Sequence, residues 1–387
     1  MPVVVQKYGG SSVADVEKIR RVAEKVAAAR RAGRDVCVVV SAMGDTTDEL
    51  LALAKEVSPA PPRRELDMLL TAGERISMAL LSMALDDQGV PAISFTGSQS
   101  GIITTDSHAN ARIVEVRPFR VQEELGRGKV VIVAGYQGVS ARKEVTTLGR
   151  GGSDTTAVAL AAALGTDCEI YSDVAGVFTA DPRVVAEAHR LDALSYEEMQ
   201  ELAQAGAKVL NAQAVEFAKE QGIAIHARST FGGPEETVIR GGTHPERIAG
   251  VAIRRELALL DFPAERLGAV LELLEAHGAA AAELASPGDR AGLALSLEDV
   301  HGWPILRDRL AAAVPGLTAE DEALGAISVV GTGLSARHRA LREVMAALEL
   351  LGAPPRALFT SALRVTALCP ARVLAEAARN VHARLIG

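Results

Sequence analysis

The segment Thr147-Leu-Gly-Arg-Gly-Gly-Ser-Asp-Thr-Thr156 concentrates residue types that handle small anions. Three glycines surround Arg150, and a Ser-Asp-Thr-Thr cluster opens the helix expected to follow. Glycine lets backbone amides approach a ligand closely. A helix N-terminus attracts negative charge. A guanidinium grips a carboxylate or phosphate through two parallel hydrogen bonds. Together these point to a carboxylate held beside a phosphate.

Other stretches carry compatible chemistry. Lys7-Tyr-Gly-Gly-Ser-Ser12 supplies a point charge and exposed amides directly after an apolar run, a workable phosphate cradle at a strand end. It lacks the GxxxxGK[ST] spacing of a Walker A loop, and alone it reads as an ordinary tight turn. Ser41-Ala-Met-Gly-Asp-Thr-Thr47 follows a second apolar run and alone reads as helix capping. Thr71-Ala-Gly-Glu74 sets an acid beside a glycine. It is either a solvated glutamate or one that grips a substrate ammonium. Tyr171-Ser-Asp-Val-Ala-Gly-Val-Phe-Thr-Ala-Asp-Pro-Arg183 reads equally as a nucleotide-facing turn or a buried turn network. Gly331-Thr-Gly-Leu-Ser-Ala336 matches a dinucleotide fingerprint, but the region around it is too short for such a sheet.

These loops need a scaffold, and the hydrophobic pattern predicts one. Val3-Val-Val-Gln6 and Asp35-Val-Cys-Val-Val-Val40 read as buried strands, joined through an amphipathic helix over 13–31 with Val16, Ile19, Val22 and Val26 on one face. Such a unit implies a right-handed crossover and parallel pairing. Pro59, Pro61 and Pro62 mark a loop before a helix over about 65–88, and more strands follow at 92–95, 130–134 and 169–171. The expected class is α/β, a mostly parallel sheet sandwiched by helices. The character changes after Thr230, and breakers place a boundary near Pro245. Beyond it a β-α-β-β-α pattern runs twice, giving expected domains of 1–245, 246–322 and 323–387.

Composition narrows the function. With 387 residues and 48% hydrophobic content, two or three cored domains are expected. Aromatics at 3% and a net charge of −8 argue against a nucleic-acid partner. No apolar run looks long enough to span a bilayer. The N-terminus lacks the form of a signal peptide. Cys37, Cys168 and Cys369 lie in separate apolar runs, so buried free thiols in the cytoplasm are expected. The eight histidines form no ligand-spaced cluster, so no side-chain metal site is predicted.

Taken together, the loops resemble aspartate kinase, of the amino-acid kinase fold. The matching motifs are Lys7-Tyr-Gly-Gly-Ser-Ser12, Val40-Ser-Ala-Met-Gly44, Leu70-Thr-Ala-Gly-Glu74, the run from Thr147 to Ala157, and Glu169 to Arg183. Their order and spacing agree over almost all of residues 1–240, and the wording is similar to the enzymes of high-GC Gram-positive bacteria. The resemblance implies that Lys7, Gly9 and Gly10 hold the ATP phosphates, with Ser41 beside them. Ser172, Asp173, Phe178, Thr179, Asp181 and Arg183 would surround the nucleotide, and Lys208 would also meet its phosphates. Thr47, Glu74, Arg150, Gly151, Gly152, Ser153 and Asp154 would hold L-aspartate, with Arg150 on its α-carboxylate and Glu74 on its α-ammonium. Lys7, Asp154 and Lys208 are the implied catalytic set, and Mg2+ would arrive with ATP.

The C-terminal repeat resembles the tandem ACT domains of this family, which sense lysine or threonine and usually meet another chain. A homo-oligomer with such an effector is therefore implied. The first unit departs from the pattern: Asp261-Phe-Pro-Ala264 stands for Asp-Lys/Arg-Pro-Gly, and Ala281-Ala-Glu-Leu284 for the usual Gln-Asn. The second keeps Val329-Val-Gly-Thr-Gly333 and Phe359-Thr-Ser361, although Ala362 replaces a usual glutamate. Weakened feedback is the expectation. In the catalytic part, Asn211-Ala-Gln213 replaces the His-Pro-Arg of many relatives. Two rivals remain at this level: a kinase of another carboxylate such as glutamate, and a non-catalytic amino-acid-binding regulator.

Overall fold

The computed structural model describes every residue except Met1, Arg150, 243–245, Pro287, His301 and 335–337. Pro245, the expected boundary, and Arg150 therefore lie outside the described residues. Packing divides the chain into two compact units. The first comprises Met1–Val177, Arg190–Gln200 and Lys208–Thr243. The second comprises Phe178–His189, Glu201–Ala207 and His244–Gly387.

The first unit is built on an eight-stranded sheet. Its order is Ala193–Leu194, Glu236–Ile239, Ile225–Ser229, Cys168–Ser172, Val3–Tyr8, Asp35–Val40, Val130–Ala134, Ala92–Phe95. All neighbours run parallel except Ile225–Ser229 against Glu236–Ile239. The central strands are Val-rich and almost wholly buried, as a sheet covered on both faces requires. Parallel pairing also decides where the chemistry lies. Four adjacent strands end at Ser172, Tyr8, Val40 and Ala134, so the loops after them emerge side by side at one edge.

The first helix spans Val16–Arg31 rather than starting at 13. Residues Gly10–Ser12 form a 3-10 turn, and the Asp15 side chain accepts from Lys18 N at 2.8 Å as the N-cap. Such a cap contributes about 1 kcal/mol. Ile19, Val22 and Val26 pack with Leu81 and Leu85 against Val36, Val38 and Ile132. The helix expected over 65–88 is two helices, Arg63–Leu70 and Ala72–Asp86, meeting at Thr71. The stretch Arg63–Asp86 is apolar and long enough to cross a membrane by length and composition alone, a test that the core helices of a sheet also meet. In this fold the apolar side, with Leu81 and Leu85, belongs to the sheet core.

A four-stranded sheet not anticipated from sequence lies beside the main one, in the order Ile113–Val116, Ile102–Thr104, Gln137–Ser140, Val145–Thr147. Its last strand leads directly into the glycine-rich segment.

The second unit holds a six-stranded antiparallel sheet in the order Ala281–Ala285, Arg290–Ser296, Ile248–Pro263, Thr318–Gly331, Arg364–Pro370, Ala357–Thr360. The β-α-β-β-α pattern does run twice, with helices Leu267–His277 and Trp303–Ala313, then Arg339–Leu350 and Leu374–Leu385. The two halves are not linear pieces, however. Residues Leu257 to Asp261 pair with the start of the strand Thr318–Gly331, while Ile248 to Arg254 pair with its end. The register shifts between Arg254 and Leu257, near Glu256 at φ 56° and Ala323 at φ 51°. Two separate cores result, one around Phe262, Leu274 and Leu310, the other around Ile327, Val344 and Val381. The first half, where the motif is least kept, is still fully cored. Its Asp261 carboxylate takes Arg290 Nε at 3.0 Å. Gly331, from the rejected fingerprint, sits against the Arg247 carbonyl, where a side chain would not fit.

Cys37, Cys168 and Cys369 are free and buried, and burial alone pushes the Cys37 thiol up to about 12. That removes its thiolate at neutral pH.

Candidate active site

The site grows from the carboxyl ends of the parallel strands in the first unit. Lys7 lies near the end of the first strand, and its ammonium reaches Asp154 Oδ1 at 2.6 Å. Both side chains are about nine-tenths buried, at 12% and 9% exposure. The Nζ passes over Gly9, where a Cβ would stand 3.5 Å from it. Gly9 N donates to Tyr171 O at 3.2 Å. Gly10 packs where a Cβ would meet the Ala42 carbonyl at 3.0 Å, and Gly44 N donates to Gly10 O at 3.1 Å. The first two strand-end loops are thus fastened backbone to backbone, which neither motif predicts alone. Ser41 N donates to Tyr8 O at 3.2 Å, and its own carbonyl accepts from Ser77 Oγ at 2.7 Å.

Glu74 comes from the first turn of the helix Ala72–Asp86. Gly73 packs on Ala42, where an added Cβ would stand 2.7 Å from the alanine methyl. That close approach delivers Glu74 Oε1 to Ala42 N at 3.2 Å. The residue is only 3% exposed, and Oε2 is buried with no hydrogen-bond partner among the described residues. Burial pushes its pKa up to about 7, partly opposed by hydrogen bonds from its own amide and that of Ala42. An acid held this way awaits a cation or a proton. Thr47 is the second residue of the neighbouring helix Thr46–Val57, whose Thr46 methyl also lies against Gly73.

The glycine-rich segment opens the buried helix Gly152–Leu164. Gly151 is its N-cap at φ 72°, in the left-handed region. A side chain there would run into Asn211, with Cγ 2.6 Å from the added Cβ. Gly152 is closed in by Leu148 and Tyr136, and Ser153 by Gly135, where an added Cβ would lie 2.8 Å from it. Asp154 stands in the first helical turn and accepts from Asn211 N at 3.2 Å through Oδ2. Its two oxygens therefore face Lys7 and Asn211. In the Asn211-Ala-Gln213 run, Asn211 Oδ1 accepts from Gln213 N at 2.8 Å and caps the helix Ala212–Gln221. Its role was readable as an Asn before a helical stretch, although its reach to Asp154 was not.

The remaining residues divide. Ser172 and Asp173 end the strand Cys168–Ser172 in the first unit, where Ser172 O accepts from Thr230 N at 2.8 Å and Asp173 is exposed. Lys208 is exposed in the same unit. Phe178, Thr179, Asp181 and Arg183 belong to the second unit. There Thr179 is buried, bonded through its hydroxyl to His382 Nε2 at 2.9 Å. Asp181 receives the Arg183 guanidinium at 3.0 Å, which holds its carboxyl below the usual range. Glu74 and Gly151 to Asp154, with Lys7, Gly9 and Gly10, are thus built within one unit. Sequence reasoning missed Asp67, which is fully buried on the helix Arg63–Leu70. Only its place among Leu66, Leu69 and Leu70 hinted at burial.

The first unit thus holds an ammonium beside the Gly9 turn, a buried glutamate and a crowded helix N-terminus. The amino acid kinase family model matches residues 2–229. The chain belongs to the amino acid kinase family, among its aspartokinases. Across the chain, the aspartokinase of Mycobacterium tuberculosis H37Rv is 45% identical over 410 aligned positions, covering 99% of this chain and 96% of that relative. The Corynebacterium glutamicum aspartokinase is 44% identical at the same coverage. These organisms fit the high-GC wording of the motifs. Among solved structures, E. coli aspartokinase III in complex with aspartate and ADP, the R-state, superposes with a TM-score of 0.87 at 25% identity over all of both chains. The lysine and aspartate complex of the same enzyme, the T-state, gives 0.76.

Proposed function

We propose that this chain transfers the γ-phosphoryl group of Mg-ATP to the β-carboxylate of L-aspartate, giving 4-phospho-L-aspartate and ADP. The single observation that carries the reading is Glu74: a buried carboxylate with one oxygen that has no hydrogen-bond partner among the described residues, set in the same unit as the Lys7–Asp154 pair. It fits the α-ammonium of an amino acid.

The nucleophile needs no general base, because an aspartate carboxylate ionises at about pH 3.9. A carboxylate oxygen forms a bond to the γ-phosphorus as the bond to the β,γ-bridging oxygen breaks, and that electron pair leaves with ADP. The difficulty is to bring two anions together in line, so positioning and positive charge do the catalysis. Lys7 supplies charge next to the Gly9-Gly10 turn. Asp154 aims that ammonium. Arg150 takes the α-carboxylate and Glu74 the α-ammonium, which leaves the β-carboxylate free to react. Thr47 and residues 151–153 close around the substrate.

Among the described residues, no group of three or more His, Cys, Asp or Glu is arranged for a metal. Mg2+ would arrive with ATP, as the motif resemblance implies, and would neutralise charge on the phosphate oxygens. The nucleotide roles of Ser41, Ser172, Asp173, Phe178, Thr179, Asp181, Arg183 and Lys208 rest on the motif resemblance. So do a cytoplasmic setting, a homo-oligomer, and lysine or threonine as effector of the second unit.

The test is ADP release with aspartate or glutamate as acceptor, with hydroxylamine trapping of the acyl phosphate. Aspartate-dependent turnover with poor use of glutamate is expected. Equal use of both, or ligand binding without turnover, would overturn the assignment.

A further inference from the structure

The helix Arg63–Leu70 carries a fully buried carboxylate that the proposed chemistry does not use. Asp67 Oδ1 accepts from the Thr147 hydroxyl at 2.6 Å, and Ala109 N lies 3.1 Å from Oδ1 and 3.2 Å from Oδ2. His108 Nδ1 stands 2.7 Å from Oδ2.

Each partner belongs to a different element. His108 and Ala109 lie in the loop between the strands Ile102–Thr104 and Ile113–Val116, with Ala109 at φ 67°. The same loop lies along the strand Val145–Thr147, where Ala111 N donates to Thr147 O at 2.9 Å. Its Asn110 meets Gly149, where an added Cβ would stand 3.0 Å from Oδ1. Thr147 is the last strand residue before the glycine-rich segment. Asp67 itself precedes Glu74 by seven residues, across the joint at Thr71. One buried carboxylate thus fastens the helices that present Glu74, the strand that launches the segment leading to Asp154, and the loop that walls it.

We propose that Asp67 is the positioning residue of the amino-acid subsite. It sets the spacing between Glu74 and the strand end at Thr147 from which the glycine-rich segment starts. This rests on the aspartate kinase reading above. Small misplacements are costly in such a site: an error near 1 Å can lower turnover about 100-fold. Among the described residues Asp67 bonds to His108, Ala109 and Thr147 and to no phosphate-side group, so the damage falls on the amino acid.

The experiment measures KM for aspartate and for ATP separately in the full chain. Asp67→Ala is expected to raise the aspartate KM about tenfold or more while the ATP KM stays within about twofold. Two milder variants protect the test from misfolding. His108→Ala cuts one tie at a partly exposed residue, and Thr147→Val cuts another with little change of shape. Each should raise the aspartate KM several-fold with the melting temperature nearly unchanged. Asp67→Asn should recover most of the loss, because its amide oxygen accepts from Ala109 and His108 and its NH2 donates to the Thr147 hydroxyl. A KM for aspartate unchanged in all the variants, or one that rises equally with that for ATP, overturns the positioning role alone. A wild-type protein that makes no ADP with aspartate overturns the underlying reaction and this role with it.

Discussion

Glu74 offers the sharpest test, because its burial creates a proton equilibrium in the working range. Its ordinary value of 4.5 is raised to about 7, chiefly by burial. At about 1.4 kcal/mol per pH unit, ionising Glu74 inside the empty protein costs about 3 kcal/mol. The folded pKa lies above the unfolded one, so the folded state holds the proton longer. Stability therefore falls as pH rises from about 4.5 to about 7, and the loss is complete above that. Glu74→Gln removes this titration while keeping an oxygen for Ala42 N. Its buried NH2 brings an unsatisfied-donor cost of about 1–3 kcal/mol, but that cost does not change with pH. The unfolding free energy of the variant minus that of wild type should thus rise by about 3 kcal/mol between pH 4.5 and pH 8. Denaturant melts across that range measure it. The same proton competes with substrate. Aspartate binds the ionised form, so its KM should climb about tenfold per pH unit below 7 and level off above. In Glu74→Gln the KM should be high and nearly flat. A flat wild-type KM from pH 6 to 8, together with a pH-independent stability difference, would refute the buried-acid argument.

Lys7→Ala should lower kcat about 100-fold or more with the fold retained; near-normal ADP release with aspartate would exclude its role. The variant should also lose stability, since Asp154 keeps a buried oxygen that has lost the Lys7 ammonium, and a denaturant midpoint at the wild-type value would count against the pair. Gly151→Ala combines a left-handed φ with a collision at Asn211. It should destabilise by about 1–3 kcal/mol and raise the aspartate KM, and wild-type values for both would show that the loop relaxes freely. In the second unit, burial and then the neighbouring His189 lower the His382 pKa. The folded state resists protonation there, so stability should drop as pH falls below about 6.5. His382→Gln should flatten that part of the profile, as followed by thermal melts, and an unchanged profile would locate the acid sensitivity elsewhere.

The site was legible in the sequence to the extent that backbone chemistry is local. Gly9, Gly10 and Gly151 announce close approach because glycine alone tolerates it, and the Val-rich runs announce buried parallel strands. The order of these motifs along the chain carried the family resemblance. Asn211 and Asp67 were not legible in the same way. Their bonds reach 57 and 80 residues away, to Asp154 and Thr147, and nothing local marks such a span. The helix joint at Thr71 and the small four-stranded sheet escaped as well, because their strands are only three or four residues long.

The sequence by itself determined the parts of this protein: an anion-binding glycine segment, a lysine at a strand end, an acid beside a glycine, and a repeated α+β pattern. Only the tertiary structure decided how they act. Parallel pairing set Lys7 and Asp154 2.6 Å apart although 147 positions separate them. The packing of Gly73 on Ala42 buried Glu74 and raised its pKa. The pairing of the two long strands set the cores of the repeat on one shared sheet. Residue type is written locally, but burial and charge pairing depend on which distant segments meet.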